Sequence, residues 1–372
     1  MLGNRIVKWI MMASNIVAVV FMLMILLGSV LSPEKLILPS YFALGFPIIL
    51  ILNVGFVIFW LLARKWFFLL SLSILLFSST EISNEFPVHL GKTETVKPTH
   101  PIHILSYNMM MSGKLVKHTK KKPNKVIQYI LDTNADIVCL QEFFISTNDQ
   151  YITHSDMLRI FRNYPYKQIT YKLNENSKSM GVATFSKYPI INKQQIKYQS
   201  VANLSIYSDI RIKGQTIRVV NNHLESNRIT ENDKAMPIKL KDNFDAESLT
   251  GITLHFSHKL GAAYRLRANQ ADVVAKVIAD SPHKVIVCGD FNDVPGSYAY
   301  TKVKGNLADA FAETGTGFGW TFYGRYYGFR IDYVFYDSTE FSPIEFKTDK
   351  VKYSDHYPVL CQLRMKSITS ED

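Results

Sequence analysis

Cysteine is scarce in this chain, and the three cysteines among its 372 residues have no regular spacing. Cys139, Cys288 and Cys361 each lie within an apolar run typical of a buried strand, where small thiols are usually found. An odd number of cysteines without close spacing gives neither a disulfide framework nor a zinc-binding pattern. Internal repeats and low-complexity tracts are also absent, so nothing in the sequence indicates a repeat architecture.

Charged residues are absent from long stretches of the first 80 residues. Trp9 to Leu31 and Leu36 to Ala63 are uncharged, and each is long enough to cross a bilayer, which takes about 20 apolar residues. A third stretch, Trp66 to Thr80, is apolar but short unless its helix runs on beyond it. Residues 1–80 are therefore predicted to form a membrane anchor of two to three transmembrane helices, and a buried hairpin that does not cross is the alternative.

Basic residues predict the orientation of this multi-pass anchor. Arg5 and Lys8 precede the first span, and Arg64 and Lys65 lie between the second and third. By the positive-inside rule, these two regions are cytoplasmic. With three spans the rest of the chain is extracytoplasmic, and this conclusion reverses if the third stretch does not cross.

The composition changes near residue 80. We interpret residues 81–99 as a polar linker and residues 100–372 as a catalytic domain in which strand-like runs alternate with helical patterns. Pro123 begins a helix-like stretch with its apolar residues on one face, and Ala262 to Ala279 is predicted to be another helix. Strands with interleaved helices favour a layered α/β fold.

One long segment of this domain, Arg228 to Gly261, has no clear periodicity and is predicted to be a loop beside the site. Loops of this length in compact domains are usually functional or disordered. Its apolar residues are expected to pack back onto the domain rather than enter lipid; they are Phe244, Leu249, Ile252, Leu254 and Phe256.

Polar motifs follow the apolar runs of the catalytic domain. They are Ser106-Tyr107-Asn108, Gln141-Glu142, Asn222-His223-Leu224-Glu225, Gly289-Asp290-Phe291-Asn292-Asp293, and the closing pair Arg330-Ile331-Asp332-Tyr333 with Ser354-Asp355-His356. Cleavage of a phosphate ester requires a cation to offset charge on the phosphoryl oxygens, a base to activate water, and donors that hold the phosphate. The residue types in these motifs therefore indicate a metal-dependent phosphoesterase.

Individual residues fit these needs. Glu142 suits a hard Mg²⁺ ion, which prefers oxygen ligands, and the amide oxygen of Asn108 would complete the shell. His356 suits proton abstraction from water, with Asp332 as the carboxylate that fixes its tautomer. Asp290 and Asn292 are two residues apart, so they share one face if the strand continues that far.

Taken in this order, the motifs resemble those of the endonuclease/exonuclease/phosphatase superfamily over roughly residues 100–365. This superfamily includes pancreatic-type deoxyribonucleases, AP endonucleases, neutral sphingomyelinases and inositol polyphosphate phosphatases. The resemblance implies a four-layer α-β-β-α sandwich with the site at one end of two packed sheets. It also implies a divalent cation, Mg²⁺ with Mn²⁺ as the alternative.

The resemblance further implies a role for each motif residue. Metal ligands would be Asn108 and Glu142, with Asp355 contributing to the metal or to the hydrogen bonds around it. The catalytic group would be His223 at the phosphate or leaving group, Asp290 at the attacking water, Asn292 at the phosphate, and Asp332 orienting His356. No carboxylate partner for His223 is evident from the sequence.

Each motif alone has a simpler interpretation. Gln141-Glu142 alone is typical of a solvated strand end, Gly289-Asp290-Phe291-Asn292 of a turn, and Ser354-Asp355-His356 of a loop with a surface histidine. Their joint occurrence in the order of the family makes coincidence the weaker explanation. The histidines outside the motifs are expected to be surface or structural residues: His103, His118, His154, His255, His258 and His283.

Charge leaves the substrate open. The net charge of +11 suits any polyanion, whether nucleic acid or an anionic membrane surface. A lysine cluster follows Asn108 in an expected loop: Lys114, Lys117, Lys120, Lys121, Lys122 and Lys125. These lysines would serve phosphate contacts in a nuclease, head-group contacts in a lipid enzyme, or simply solvation of a loop.

The anchor favours a membrane substrate, because a tethered phosphoesterase meets lipid head groups at high local concentration. The sequence therefore predicts a Mg²⁺-dependent hydrolase of lipid phosphodiesters or phosphomonoesters, with no obligate protein partner evident. The alternative is a membrane-anchored endo- or exonuclease that acts on DNA or RNA. A catalytically weak relative with a role in the membrane is a third hypothesis, and the intact set of motif residues argues against it.

Overall fold

The protein is described by a computed structural model, which covers residues 2–89, 101–119, 123–175, 178–230, 232–233, 235–236, 246–324 and 328–366. The chain forms two compact units. The helical unit consists of Met1–Ser83, Ser226–Asn269 and Val294–Thr301. The sheet unit consists of Asn84–Glu225, Gln270–Asp293 and Lys302–Asp372.

Helices dominate the start of the described chain, and strands with interleaved helices follow. The α-helices are α1 Leu2–Val30, α2 Phe46–Leu62, α3 Phe68–Phe77, α4 Ser79–Glu85, α5 Met110–Leu115, α6 Lys125–Asp132, α7 His154–Ile160, α8 Ala246–Ala279, α9 Tyr298–Lys304 and α10 Ala310–Thr314, with 3-10 turns at Leu38–Tyr41 and Ala43–Gly45. The strands are β1 Ile102–Asn108, β2 Ile137–Ser146, β3 Tyr166–Glu175, β4 Lys178–Ser186, β5 Ile190–Ile196, β6 Ser205–Ile212, β7 Gln215–His223, β8 Lys284–Asp290, β9 Ala308–Asp309, β10 Phe322–Tyr323, β11 Gly328–Phe329, β12 Asp332–Tyr336, β13 Phe341–Thr348 and β14 Val359–Met365.

Two mixed sheets of six strands form the sheet unit. The first has the order β13-β14-β1-β2-β4-β3 and the second β5-β6-β7-β8-β12-β9, while β10 pairs with β11. β1 runs parallel to β2, and β7 runs parallel to β8. β12 runs antiparallel to β8, so it begins at the edge where β7 and β8 end.

Apolar residues of both sheets form a common core. It contains Ile104 and Ile137 of the first sheet together with Val219 and Ile286 of the second. The three cysteines lie in this core and are free and buried, as the sequence predicted. The core explains why these strands are apolar, and the predicted α/β sandwich is the fold of this unit.

The opposite face of the first sheet is covered by helix α6. Val126, Ile127 and Ile130 of α6 are buried in a second cluster with strand residues such as Val138. The helix begins at Lys125 rather than at Pro123, because the side chain of Asn124 accepts hydrogen bonds from the Val126 and Ile127 amides. The amphipathic stripe read from the sequence is therefore the face that packs on the sheet.

Polar side chains lie inside the helical unit. Asn53 of α2 is fully buried and donates to Ala18 O of α1 at 3.1 Å. The hydroxyl of Ser71 in α3 donates to Asn15 Oδ1 of α1, and both residues are buried. These hydrogen bonds link α1 to α2 and to α3.

Apolar side chains cover the outside of the same helices. Two helical stretches, Arg5–Val30 and Leu38–Leu62, have the length and composition to cross a membrane, yet only 28% and 22% of their most apolar windows are buried. Ile51, for example, is 68% exposed. Large contiguous apolar surfaces are rare on soluble proteins, so the burial pattern of these helices is the one expected for association with a membrane.

The third apolar stretch is longer as a helix than its apolar part alone. Helix α3 ends at Phe77 and α4 follows from Ser79, and Ile82 N donates to Ser78 O at 2.9 Å across the junction. The helical path from Phe68 to Glu85 therefore rises about 27 Å, close to the roughly 30 Å of a bilayer core.

Helix α8 begins well before the predicted start at Ala262. It starts at Ala246, so much of the segment expected to be a loop is helical. Contacts within the helical unit hold this part: Tyr41 Oη donates to Ser257 O at 2.7 Å, and Lys259 pairs with Asp233. These partners are distant in sequence, so local periodicity does not reveal the helix.

The apolar residues of this segment have different environments. Ile252 and Phe256 are half-buried, whereas Leu249 and Leu254 are exposed. The expectation that all of them pack inward is therefore met only in part. Phe244 lies outside the described residues.

The described part of the predicted linker is ordered chain packed on the sheet unit. Arg330 donates to Asn84 O at 2.6 Å, and Gly317 N donates to Pro87 O at 3.1 Å. His89 Nδ1 lies 2.7 Å from Gly315 O. Residues 90–99 of the predicted linker lie outside the described residues.

Candidate active site

The ends of three strands and the start of a fourth bring most of the predicted site residues together. Asn108 ends β1, His223 ends β7 and Asp290 ends β8, while Asp332 begins β12. Asp290 lies opposite His223 in the pairing with β7 and opposite Asp332 in the pairing with β12. The β-ladder therefore places a histidine and two carboxylates side by side.

Glu142 reaches this edge through a β-bulge. β2 does not end at Gln141-Glu142 but continues to Ser146, and its pairing shifts from Leu140↔Ala183 to Phe143↔Gly181. Glu142 has φ of 49°, a left-handed value that is uncommon for a residue of this type. The extra residue interrupts the alternation of β2, and bulges of this kind re-aim side chains near functional sites. Glu142 Oε1 lies 3.4 Å from Asn108 Nδ2.

Close approach of two strands requires glycine at position 289. Gly289 has φ of 128°, and a Cβ atom there would lie 2.1 Å from Asn222 O. No side chain fits at that distance without moving the backbone of β7. This contact holds β7 and β8 together next to His223 and Asp290.

His356 is held between two carboxylates. Its Nδ1 lies 2.9 Å from Asp332 Oδ2, and its Nε2 lies 3.7 Å from Asp290 Oδ2. Burial acts to lower the pKa of His356, but the two carboxylates outweigh it and raise the pKa to about 10. The imidazole is therefore charged at neutral pH, which suits contact with an anionic phosphoryl group. The pairing with Asp332 is the one that the sequence predicted.

Asp290 and Asn292 do not share a strand face. β8 ends at Asp290, and Asn292 has a left-handed φ of 53°. Asn292 N donates to Asp290 Oδ1 at 2.7 Å, and its side-chain amide donates to Leu224 O at 2.9 Å. A turn, rather than a continued strand, therefore brings the two residues into one hydrogen-bonded group beside the motif of His223.

Carboxylates also flank His223. Its Nε2 lies 3.8 Å from Asp290 Oδ2 and 4.0 Å from Glu142 Oε1, neither of which was evident as a partner from the sequence. Burial lowers the pKa of His223 in spite of Asp290, and the neighbouring His356 acts in the same direction. His223 is therefore neutral where His356 is charged. Titratable groups whose environments separate their pKa values in this way are typical of acid–base sites.

The acidic residues of the site fit a divalent cation. Burial raises the pKa of Glu142 to about 7, and the carboxylates of Asp355 and Asp290 add to this effect while His356 opposes it. Burial likewise raises the pKa of Asp290. Crowded, buried carboxylates are relieved by a cation, and oxygen donors suit Mg²⁺. Asp290, Asp332 and His356 also offer ligand atoms within 4.8 Å of one another.

The other two predicted metal ligands differ in geometry. Asn108 Nδ2 donates to Asp290 Oδ2 at 2.9 Å, and its oxygen accepts from Met110 N at 3.0 Å. In this arrangement Asn108 orients carboxylates, and its part as a metal ligand stays a prediction. Asp355 is partly exposed and accepts from Ser354 Oγ at 3.3 Å.

Several supporting residues have no signal in the sequence. The hydroxyl of Thr321 accepts from the amides of Ile331 and Asp332, both at 3.0 Å, and so fixes the start of β12. Gln141 Nε2 donates to Asn221 Oδ1 at 2.7 Å, which joins the two sheets beneath the site. Both contacts connect distant parts of the chain, and neither side chain belongs to a distinctive motif except for the position of Gln141 beside Glu142.

Known proteins with similar sequences and structures agree with this site. A family model described as "Endonuclease/Exonuclease/phosphatase family" matches residues 105–356, and one described as "Domain of unknown function (DUF8431)" matches residues 7–84. The CCR4-Not complex 3'-5'-exoribonuclease subunit Ccr4 of Candida albicans is 25% identical over 236 residues, which are 53% of this chain. The chain spans only 28% of the length of that relative.

Solved structures share the fold. An endonuclease/exonuclease/phosphatase from Beutenbergia cavernae aligns with a TM-score of 0.50 at 16% identity, covering 72% of each chain. The human Nocturnin catalytic domain aligns with a TM-score of 0.48 at 17% identity, covering 72% of this chain and 95% of that one. On the family match over most of its length, the chain belongs to the endonuclease/exonuclease/phosphatase family, whose members are metal-dependent phosphoric ester hydrolases.

Proposed function

We propose that this protein is a membrane-anchored, Mg²⁺-dependent phosphoesterase that hydrolyses phosphodiester or phosphomonoester bonds of lipid head groups. The observation that carries the proposal is the helical unit, which has buried polar side chains and an apolar exterior and includes two segments of the catalytic chain. An enzyme built in this way works where lipid head groups are concentrated.

Three membrane spans and an extracytoplasmic catalytic domain are the topology that we propose. The path of α3 and α4 is long enough for a third span. Contacts within the helical unit support the same topology independently of charge: Tyr41 bonds to Ser257, and Asn269 Nδ2 donates to Glu34 Oε1 at 3.0 Å. Glu34 and Tyr41 lie between α1 and α2, on the side opposite the Arg64-Lys65 turn, so the chain around α8 belongs to that side.

A reporter enzyme fused after Asp372 tests this topology. We expect activity from a reporter that works only outside the cytoplasm and none from one that works only inside. The reverse result would show that the third stretch does not cross and that the catalytic domain is cytoplasmic.

The site residues divide the chemistry among them. We infer that Asp290 orients the attacking water and takes its proton, since its carboxylate is buried between both histidines. His356, held charged by Asp332, donates to a phosphoryl oxygen, and Asn292 and His223 hold the phosphate or the leaving group. Glu142 and Asp355, with Asn108, would hold the cation. A bound Mg²⁺ ion, or Mn²⁺ in its place, would offset negative charge on the phosphoryl oxygens.

A second candidate function is a membrane-anchored nuclease that acts on RNA or DNA. The likeness to Ccr4, whose name describes a 3'-5'-exoribonuclease, favours it. The exposed Lys117 and Lys125 would then contact backbone phosphates, and binding would weaken steeply with salt. Lys120, Lys121 and Lys122 of the expected basic loop lie outside the described residues.

The deciding experiment is hydrolysis by the purified full-length protein with Mg²⁺, given phospholipid vesicles, RNA and DNA in parallel. We expect release of head group or phosphate from vesicles, lost in His356→Ala and retained in the matched control His154→Ala, whose side chain is exposed on α7. Cleavage of RNA or DNA with untouched vesicles would instead establish the nuclease.

A further inference from the structure

Two chain segments leave the candidate site and enter the helical unit. The helical unit resumes at Ser226, three residues after His223, and again at Val294, two residues after Asn292. Residues proposed to contact the substrate are therefore followed directly by chain that is built into the anchor. A soluble domain hung on a linker would need no such segments.

The second segment packs on the first spanning helix. A Cβ atom at Gly296 would lie 3.3 Å from Ile25 Cγ2, so the backbone at Gly296 lies directly against this side chain. Ile25 is fully buried and lies five residues before Val30, the end of α1. At about 1.5 Å per residue, this contact is roughly 7.5 Å along the helix from its end.

The first segment packs on the connection between α1 and α2. Besides the hydrogen bond to Ser257, the ring of Tyr41 meets that of Tyr264 edge-on, with centroids 5.7 Å apart. Gly261 approaches so closely that a Cβ atom there would lie 2.6 Å from Tyr41 Oη. Both segments therefore contact the end of the bundle at which α1 finishes and α2 begins.

Chain length then limits how far the site can be from the membrane surface. Asn292 and Gly296 are four residues apart, which spans at most about 14 Å of extended chain. Together with the position of Ile25 on α1, this keeps Asn292 within about 20 Å of the end of the span. Lipid phosphates lie in a head-group layer that adds roughly 5 to 8 Å to each side of the hydrocarbon core.

We propose that the enzyme acts in cis, on phosphorylated lipid of the same bilayer that holds its helices, and does not reach substrate in other membranes. This inference rests on the proposed lipid function and deepens it. The substrate class is a membrane lipid with its scissile phosphate ester in the head group, presented by the leaflet next to the connection between α1 and α2. The anchor thus selects the substrate by where it holds the site.

Reconstitution in vesicles tests this inference. The full-length protein is placed in phosphatidylcholine vesicles that carry a head-group-labelled phospholipid, or in vesicles without it to which labelled vesicles are added. With Mg²⁺, we expect release of label from the cis vesicles and at least about 10-fold slower release in trans, because a site held close to its own leaflet cannot engage a second bilayer.

Two controls separate failure of the inference from failure of the function. Dissolving both samples in the same detergent should equalise their rates, and His356→Ala should be inactive in every arrangement. Equal rates in cis and trans before detergent would overturn the inference while the lipid function stands. Absence of lipid hydrolysis even in detergent, with RNA or DNA cleaved, would overturn the inference together with the function on which it rests.

Discussion

In the sheet unit the apolar side chains are buried and the polar ones gather at one edge, whereas in the helical unit Asn15, Asn53 and Ser71 are buried and the apolar side chains face outward. The same chain therefore follows opposite rules in its two units. The difference is the one expected for two solvents, since buried polar groups with an apolar exterior suit lipid and the reverse suits water. Polar groups in the sheet unit should therefore affect chemistry, and those in the helical unit should affect assembly.

The largest effect is expected at the site edge. His356→Ala should lower kcat by at least about 1,000-fold, in the range found when a group that transfers or stabilises a proton is removed. The melting temperature should change little, because the imidazole is paired with carboxylates rather than with apolar groups. Steady-state kinetics and calorimetry check this, with His154→Ala as the control. Retained turnover would remove His356 from the mechanism.

Glycine substitutions probe how the sheet unit holds its edge. Gly289→Ala should destabilise the protein by more than about 3 kcal/mol, because its Cβ would lie 2.1 Å from a backbone oxygen. Gly214→Ala is the matched control: its φ is also positive, at 84°, but its Cβ would meet no described atom within 4 Å. Only the backbone cost of about 1 kcal/mol is expected there. Equal losses in chemical denaturation would show that the contact with Asn222 is unimportant.

Glu142 tests the conflict between stability and metal binding. Because burial raises its folded pKa to about 7, the ionised carboxylate is a cost that is absent below the unfolded pKa of 4.5 and complete above about 7. Glu142→Gln should therefore stabilise the metal-free protein at pH 8 by about 2 kcal/mol and leave it unchanged at pH 4.

The same variant should weaken activity in a way that added Mg²⁺ partly restores. Denaturation with a chelator present and activity titrated with Mg²⁺ measure the two effects. A variant that is stabilised but keeps the Mg²⁺ dependence of the native protein would assign the metal to other ligands.

The smallest effect is expected inside the helical unit. Asn53→Leu removes the hydrogen bond to Ala18 O and should cost about 1 kcal/mol in detergent, with kcat unchanged. Ile51→Leu, on the exposed face of the same helix, is the control and should be neutral. Strong stabilisation by Asn53→Leu would make the interior resemble a water-soluble core and would break the contrast between the two units.

The sequence predicted most of the site because catalytic side chains at strand ends keep a fixed order along the chain. Asn108, Asp290 and Asp332 lie at strand ends or starts, where that order indicates proximity. The carboxylate neighbours of His223 could not be predicted, because Asp290 and Glu142 reach it from other strands. Glu142 moreover depends on a bulge, which has no local signature.

Tertiary contacts explain the other differences between expectation and structure. The first half of α8 has a mixed pattern because Tyr41 and Asp233, both remote in sequence, supply its partners. The docking of Asn84 depends on Arg330, which was evident only as part of a motif next to Asp332. Such pairings are decided by the fold as a whole, so a single sequence does not reveal them.

The division of the helical unit along the chain has a consequence for the order in which the protein is made. Its first part ends at Ser83, but its last part is Val294–Thr301. At about 5 to 20 residues per second, the ribosome needs roughly 10 to 40 seconds to synthesise the chain between them. Throughout that time the early helices remain without their later partners. The hydrogen bonds of Asn15 and Asn53 within the first part therefore stabilise a bundle that is among the first portions of the protein to be synthesised and among the last to be completed.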